Sequence, residues 1–127
     1  GQRLEIMNNC SQPVICPYCE ERGMKQVQAF RPAEGLGSGM GGLKDTCGAV
    51  TGMFMTIGLK NSAGKMDDPF ATKMDTYQKL LDAAEKFKEK NGSIYCRDLK
   101  TQEGPQPLPC CMKCVEDAAQ IIDEMEF

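Results

Sequence analysis

The sequence predicts an all-α fold: a small single-domain bundle of about four to five helices over residues 1–127, with a glycine-rich loop before its central helix. Three observations carry this expectation. Two long segments repeat apolar residues at spacings of three and four, and a third is apolar nearly all round. Nowhere do apolar and polar residues alternate for long enough to make a strand. At 127 residues the chain has the length of one domain and can bury one core without disulfides to replace it.

The clearest helix is expected to start at Asp68-Pro69, an N-cap followed by proline at the first helical position, and to end at Asn91-Gly92. Phe70, Met74, Tyr77, Leu80, Leu81, Ala84 and Phe87 would form its buried stripe, and Lys86, Lys88 and Lys90 complement the dipole at its end. A second helix is expected after Pro109, with Cys111, Cys114, Val115, Ala118, Ile121, Ile122 and Met125 inward and Glu116, Asp117, Asp123 and Glu124 outward. The stretch from Thr101 to Pro109, with Gly104, Pro105 and Pro107, reads as the loop joining the two. Ahead of them, Thr46 is placed as N-cap of a helix from Cys47 to Leu59. Being apolar on all sides, that helix belongs in the middle. Its Gly48, Gly52 and Thr56 recur every four residues and make a small-residue stripe suited to a close approach. The preceding run Gly35 to Gly42 is expected to be irregular, since glycine costs about 1 kcal/mol per residue in a helix interior. In the first third, a helix starting at Pro17 avoids placing that proline in a helix interior, a cost of about 3 kcal/mol.

The composition narrows the chemistry. Apolar residues make up 41% and charged residues 26%, as in folded globular chains, and the formal charge is -3. Lys and Arg are interspersed with Asp and Glu, with no basic block, so no nucleic-acid partner is expected. No apolar run is long enough to span a membrane, and the opening GQRLEIMNNC lacks the apolar core of a signal peptide, which points to the cytoplasm. There is no His, which removes Ser-His and Cys-His catalytic arrangements and mixed Cys-His zinc sites. Eight Cys is a high count. In a reducing compartment it favours metal binding or redox chemistry over a disulfide framework.

Among those cysteines, Cys47 stands at the expected N-terminus of a helix, where the positive dipole end and unpaired N–H groups favour thiolate over thiol. Gly48 leaves those N–H groups open to a sulfur. The competing reading is a small buried hydrophobe at a tight helix crossing. Cys16-Pro17-Tyr18-Cys19 matches the active-site tetrapeptide of glutaredoxins, but no strand leads into it; it stands either as a surface dithiol or as an incidental CxxC on a turn. Cys16, Cys19, Cys111 and Cys114 also make two CxxC pairs of the kind zinc takes. The nine Met are better explained as core filler than as soft-metal ligands.

Thr46-Cys47-Gly48-Ala49-Val50-Thr51-Gly52, preceded by glycines and followed by lone cysteines, resembles the redox-active family named for the pattern C, GCAxxG, C, C. Asn9-Cys10 is similar to its first cysteine, and Gly37 to Gly42 to its glycine run. The stretch Phe87 to Leu99 carries the third cysteine, Cys96, and Cys111 followed by Val115 to Ala119 the fourth. The resemblance spans nearly the whole chain; Cys16, Cys19, Cys110 and Cys114 are additional to the pattern and stand as secondary metal candidates. It implies that Cys10, Cys47, Cys96 and Cys111 share one site, in which the helix N-terminus would make Cys47 the reactive thiol and place Gly48 beside the cofactor. It further implies redox or electron-transfer function with an iron-sulfur cluster between helices, served by a redox partner protein or a small thiol. Zinc, or metal-free thiol-disulfide chemistry, is the alternative, and a homodimer is left open.

Overall fold

The computed structural model describes residues 12–19, 24–43, 45–101 and 108–125. Seven helices are found there: α1 Gln12–Cys19, α2 Gln26–Ala33, α3 Gly37–Gly41, α4 Gly48–Asn61, α5 Lys73–Asn91, α6 Cys96–Thr101 and α7 Leu108–Glu124. Five of them have eight residues or more, in keeping with the bundle expected from the sequence. β pairing among the described residues is one isolated antiparallel bridge between Thr46 and Tyr95.

Helix α4 is central, packing against α1, α5 and α7. Its Ala49, Val50, Met53 and Ile57 lie in one cluster with Val14 of α1, Ala83 and Phe87 of α5, Leu99, and Ala118, Ile121 and Ile122 of α7. Gly48, Gly52 and Thr56 are all buried, and the Thr56 hydroxyl donates to the Gly52 carbonyl at 2.8 Å. The N-cap is Cys47, one residue later than expected, because Thr46 is taken by the bridge to Tyr95.

Helix α1 corrects the expectation of a start at Pro17: it begins at Gln12 and contains both Pro13 and Pro17. Pro17 has no N–H for the carbonyl four residues back, so one helical bond is missing, at about 3 kcal/mol. Burial of Val14 and Ile15 alone offsets this, at about 1.5–3 kcal/mol each. Side-chain bonds fix the helix further. Gln12 Nε2 donates to the Phe30 carbonyl at 3.0 Å, and the Tyr18 hydroxyl reaches the Asp123 carboxylate at 3.0 Å and the Ala119 carbonyl at 3.2 Å.

The glycine-rich stretch is less irregular than expected. A 3-10 turn, Glu34–Leu36, leads into α3, where the chain turns left-handed: φ is 67° at Gly39, 70° at Met40, 71° at Gly41 and 95° at Gly42. An L side chain costs about 1–2 kcal/mol in that conformation, which is why three of the four are glycine. The turn closes through the Asp45 N–H donating to the Gly39 carbonyl at 3.0 Å, and it delivers the chain to the bridge.

Helix α5 starts at Lys73, not at Asp68-Pro69. Pro69 sits instead at the second position of a turn closed by the Ala71 N–H donating to the Asp68 carbonyl at 3.2 Å, a place proline favours as much as a helix start. Only part of the expected stripe is buried: Phe87 is wholly so and Leu80 packs on the core, joined by Ala83, while Phe70, Met74, Tyr77 and Leu81 are exposed. At the other end Gly92, with φ of 84°, forms a left-handed cap.

Helix α7 buries Cys114, Val115, Ala118, Ile121 and Ile122 as expected and begins one residue before Pro109. Asp117 departs from the expected outward face. It accepts hydrogen bonds from Asn91 Nδ2 at 3.1 Å and Lys113 Nζ at 2.7 Å, and Lys113 Nζ also donates to Asn91 Oδ1 at 2.8 Å. This knot ties the end of α5 to α7.

Candidate thiol redox site

The Thr46·Tyr95 bridge decides the geometry of the site. The Cys47 N–H donates to the Ile94 carbonyl at 2.7 Å and the Cys96 N–H donates to the Asp45 carbonyl at 2.6 Å, bracketing the bridged pair. Cys47 is therefore opposite Ile94, and Cys96 opposite Asp45. Side chains alternate along paired extended chains, so Cys47 and Cys96 share the face opposite to Thr46 and Tyr95. They are diagonal neighbours on that face.

Each cysteine then opens a helix. Cys47 is the N-cap of α4, its carbonyl accepting from Val50 and Thr51, while the following Gly48 and Ala49 N–H groups stand where no intrahelical acceptor exists. Cys96 is the first residue of α6. Both side chains are nearly shut off from water, at 5% and 4% exposure.

Cys96 is positioned by residues to which the sequence reading assigned no role. Ser93 Oγ accepts from the Tyr95 N–H at 3.0 Å and donates to the Asp98 carboxylate at 2.8 Å, clamping the turn that presents Cys96. A serine just ahead of a short helix with an acidic residue in its first turn is a capping signal, and it was there to be read. Arg97 lies over the Tyr95 ring, 4.6 Å from its centroid, and 3.7 Å from Asp45.

The other candidates are distributed as follows. Cys10 lies outside the described residues. Cys110 and Cys111 lie in the first turn of α7, which packs on α4, and their side chains are outside the described residues. Cys114, one turn after Cys111, is buried in the same apolar cluster as Cys47. Cys16 and Cys19 lie in a second cluster with Ile15, Ala29 and Ala33. They are fully buried on α1, and the Cys19 thiol donates to the Cys16 carbonyl at 3.1 Å. Neither a surface dithiol nor a CxxC on an irregular turn describes them, since the apolar sequence around them pulls the segment into a buried helix. Among the described residues no three Cys, Asp or Glu side chains gather as a metal-holding group.

The family model described as "Putative redox-active protein (C_GCAxxG_C_C)" matches residues 8–125. The chain belongs to that family. In this C_GCAxxG_C_C protein the motif cysteine is the N-cap of the central helix, and the third cysteine is its neighbour across the bridge. No curated protein and no solved structure matches the chain. No helix among the described residues is long and apolar enough to cross a membrane.

Proposed function

We propose that this C_GCAxxG_C_C protein transfers electrons through an iron-sulfur cluster held by Cys47, Cys96, Cys111 and Cys10. The observation that carries the reading is the diagonal placement of Cys47 and Cys96 on one buried face. Two buried thiols on one face suit thiolates that share one ligand. Such a cluster would supply reversible one-electron transfer.

The chain's own residues do the rest. Burial of Cys47 and Cys96 excludes water, and the Gly48 and Ala49 N–H groups at the start of α4 would be available as hydrogen-bond donors to cluster sulfur, with Gly48 adding no side chain in the way. Among the described cysteines, Cys47 is the one directly followed by a long helix, of 14 residues, whose N-terminal dipole favours an anion there. Electrons would be exchanged with a redox partner protein.

Anaerobic purification followed by iron, sulfide and zinc analysis and a visible spectrum tests the reading. The expected result is a brown protein with iron and acid-labile sulfide, both lost in Cys47→Ser and Cys96→Ser variants that keep their helical circular dichroism. A colourless protein with a reversible Cys47–Cys96 disulfide would replace electron transfer by thiol-disulfide exchange. One equivalent of zinc and no redox change would remove the redox reading altogether.

A further inference from the structure

Cys16 and Cys19 stand apart from the Cys47 face, in a buried cluster of their own with Ile15, Ala29 and Ala33. Three residues apart on α1, they project from the same side of that helix, and both are wholly shut off from water. The side chains packed against this cluster bring two more sulfurs, since Met24 and Met55 join Phe30 and Leu59 around it. Met24 is tied to the pair through its backbone, its N–H donating to the Cys19 carbonyl at 3.1 Å. Met55 comes from α4, against which α1 packs. Two thiols and two thioethers thus meet in one apolar cluster formed by α1, α2 and α4.

The donor set selects the ligand. Zinc takes four ligands drawn from thiolate, imidazole and carboxylate, and among the described residues no third Cys, Asp or Glu joins this pair. Thioether sulfur binds soft cations, and thiolate together with thioether is the set that Cu(I) takes. A disulfide suits the geometry less well. Side chains three apart on a helix have Cβ atoms about 5–6 Å apart, against about 3.5–4.5 Å in a disulfide, so closing one would distort the end of α1, whereas an ion between two sulfurs spans the wider gap. The anionic complex lies between two opposite helix ends. Cys19 closes α1, at a negative dipole end, while Cys16 lies by the first turn of α2, a positive end, with Sγ 4.0 Å from the carbonyl of Gln26, its first residue.

We infer that Cys16 and Cys19 are the thiolate ligands of a buried Cu(I) site, with the Met24 and Met55 thioethers beside them. Loading releases the two thiol protons to solvent, and it needs no oxidant or reductant because copper enters and stays as Cu(I). The way in is under α2. That helix buries Ala29 and Ala33 alone, contains Pro32 and packs chiefly on α1, so it opens at small cost while the core around α4 stays closed.

Anaerobic titration of the reduced chain with Cu(I), against a chromophoric Cu(I) chelator, tests this. The expected result is a first copper held tightly, lost in Cys16→Ala and in Cys19→Ala and kept in a Cys47→Ser/Cys96→Ser variant, which separates this site from the cluster proposed above. Met24→Leu combined with Met55→Leu should weaken binding by about 10–100-fold. Slow alkylation of the native chain gives a reading without mutation: the first equivalent of Cu(I) should block labelling of Cys16 and Cys19, as mapped by peptide mass. Copper retained by a folded chain lacking both cysteines, or undiminished labelling of the pair in the copper-loaded chain, would place the ion elsewhere and overturn the assignment. A chain that takes no copper would overturn it outright, and a Cys16–Cys19 disulfide recovered in its place would make the pair a redox dithiol instead. Equal binding by the methionine variant would remove the thioethers from the site.

Discussion

Two glycines on one helix give opposite expectations for the same substitution. A Cβ built at Gly58, near the C-terminal end of α4, meets no heavy atom within 4 Å. Gly58→Ala therefore gains the helix-propensity difference, about 0.8–1.0 kcal/mol, with nothing to oppose it. Unfolding entropy of about 2.1 cal/mol/K per residue makes 1 kcal/mol worth about 4 °C for a chain of this size, so Tm should rise by about 3–4 °C. Gly52 lies a turn and a half earlier on the buried small-residue stripe, its carbonyl accepting the Thr56 hydroxyl in the centre of the bundle. Overpacking there costs about 1–3 kcal/mol. Less the same propensity gain, Gly52→Ala should end up to about 2 kcal/mol less stable, with Tm lower by as much as about 8 °C. Differential scanning calorimetry of both variants under reducing conditions reads the two signs side by side. If Gly52→Ala were as stabilising as Gly58→Ala, the stripe would have room for a methyl group, and the close approach around α4 argued above would be wrong.

Two further substitutions test how the site is delivered and held. Asn91→Ala removes the side chain that accepts from Lys113 and donates to Asp117; it should lose about 1–2 kcal/mol in urea unfolding, and a midpoint equal to that of the native chain would show the knot between α5 and α7 to be inconsequential. Gly41→Ala puts a side chain at φ of 71° with its Cβ 3.3 Å from the Gly35 carbonyl, so it should lose at least about 1–2 kcal/mol, whereas unchanged stability would mean that the left-handed turn before Cys47 is not needed.

Much of the architecture was legible in the residues. The apolar spacing of α7, the all-round apolar character of α4 and the cap at Gly92 each follow from helix periodicity and backbone conformation, which are local properties. The motif around Cys47 identified the family from sequence alone, and its match over residues 8–125 agrees. Where local rules erred, a longer-range interaction was the cause. Pro69 fits a turn as well as a helix start, and the packing of α1 outweighed the penalty at Pro17 because buried Val14 and Ile15 contribute more than one missing hydrogen bond costs.

The sequence by itself determined that this protein would be helical, rich in cysteine, and built around a cysteine at the mouth of its central helix, since residue type and spacing decide those matters within a few turns of chain. Only the tertiary structure decided which cysteine stands beside Cys47. Forty-eight residues separate Cys47 from Cys96, and what joins them is a single bridged pair, Thr46 with Tyr95, held by two backbone hydrogen bonds that any residue types could make. Backbone N–H and C=O groups are common to nearly every residue, so their pairing leaves no mark in composition or periodicity. The same holds for the exposed part of the α5 stripe. Its spacing announces an apolar face, but whether that face turns to the core or to solvent depends on how the helix is rolled against α4 and α7, which is set by the packing of Ala83 and Phe87 on the far side.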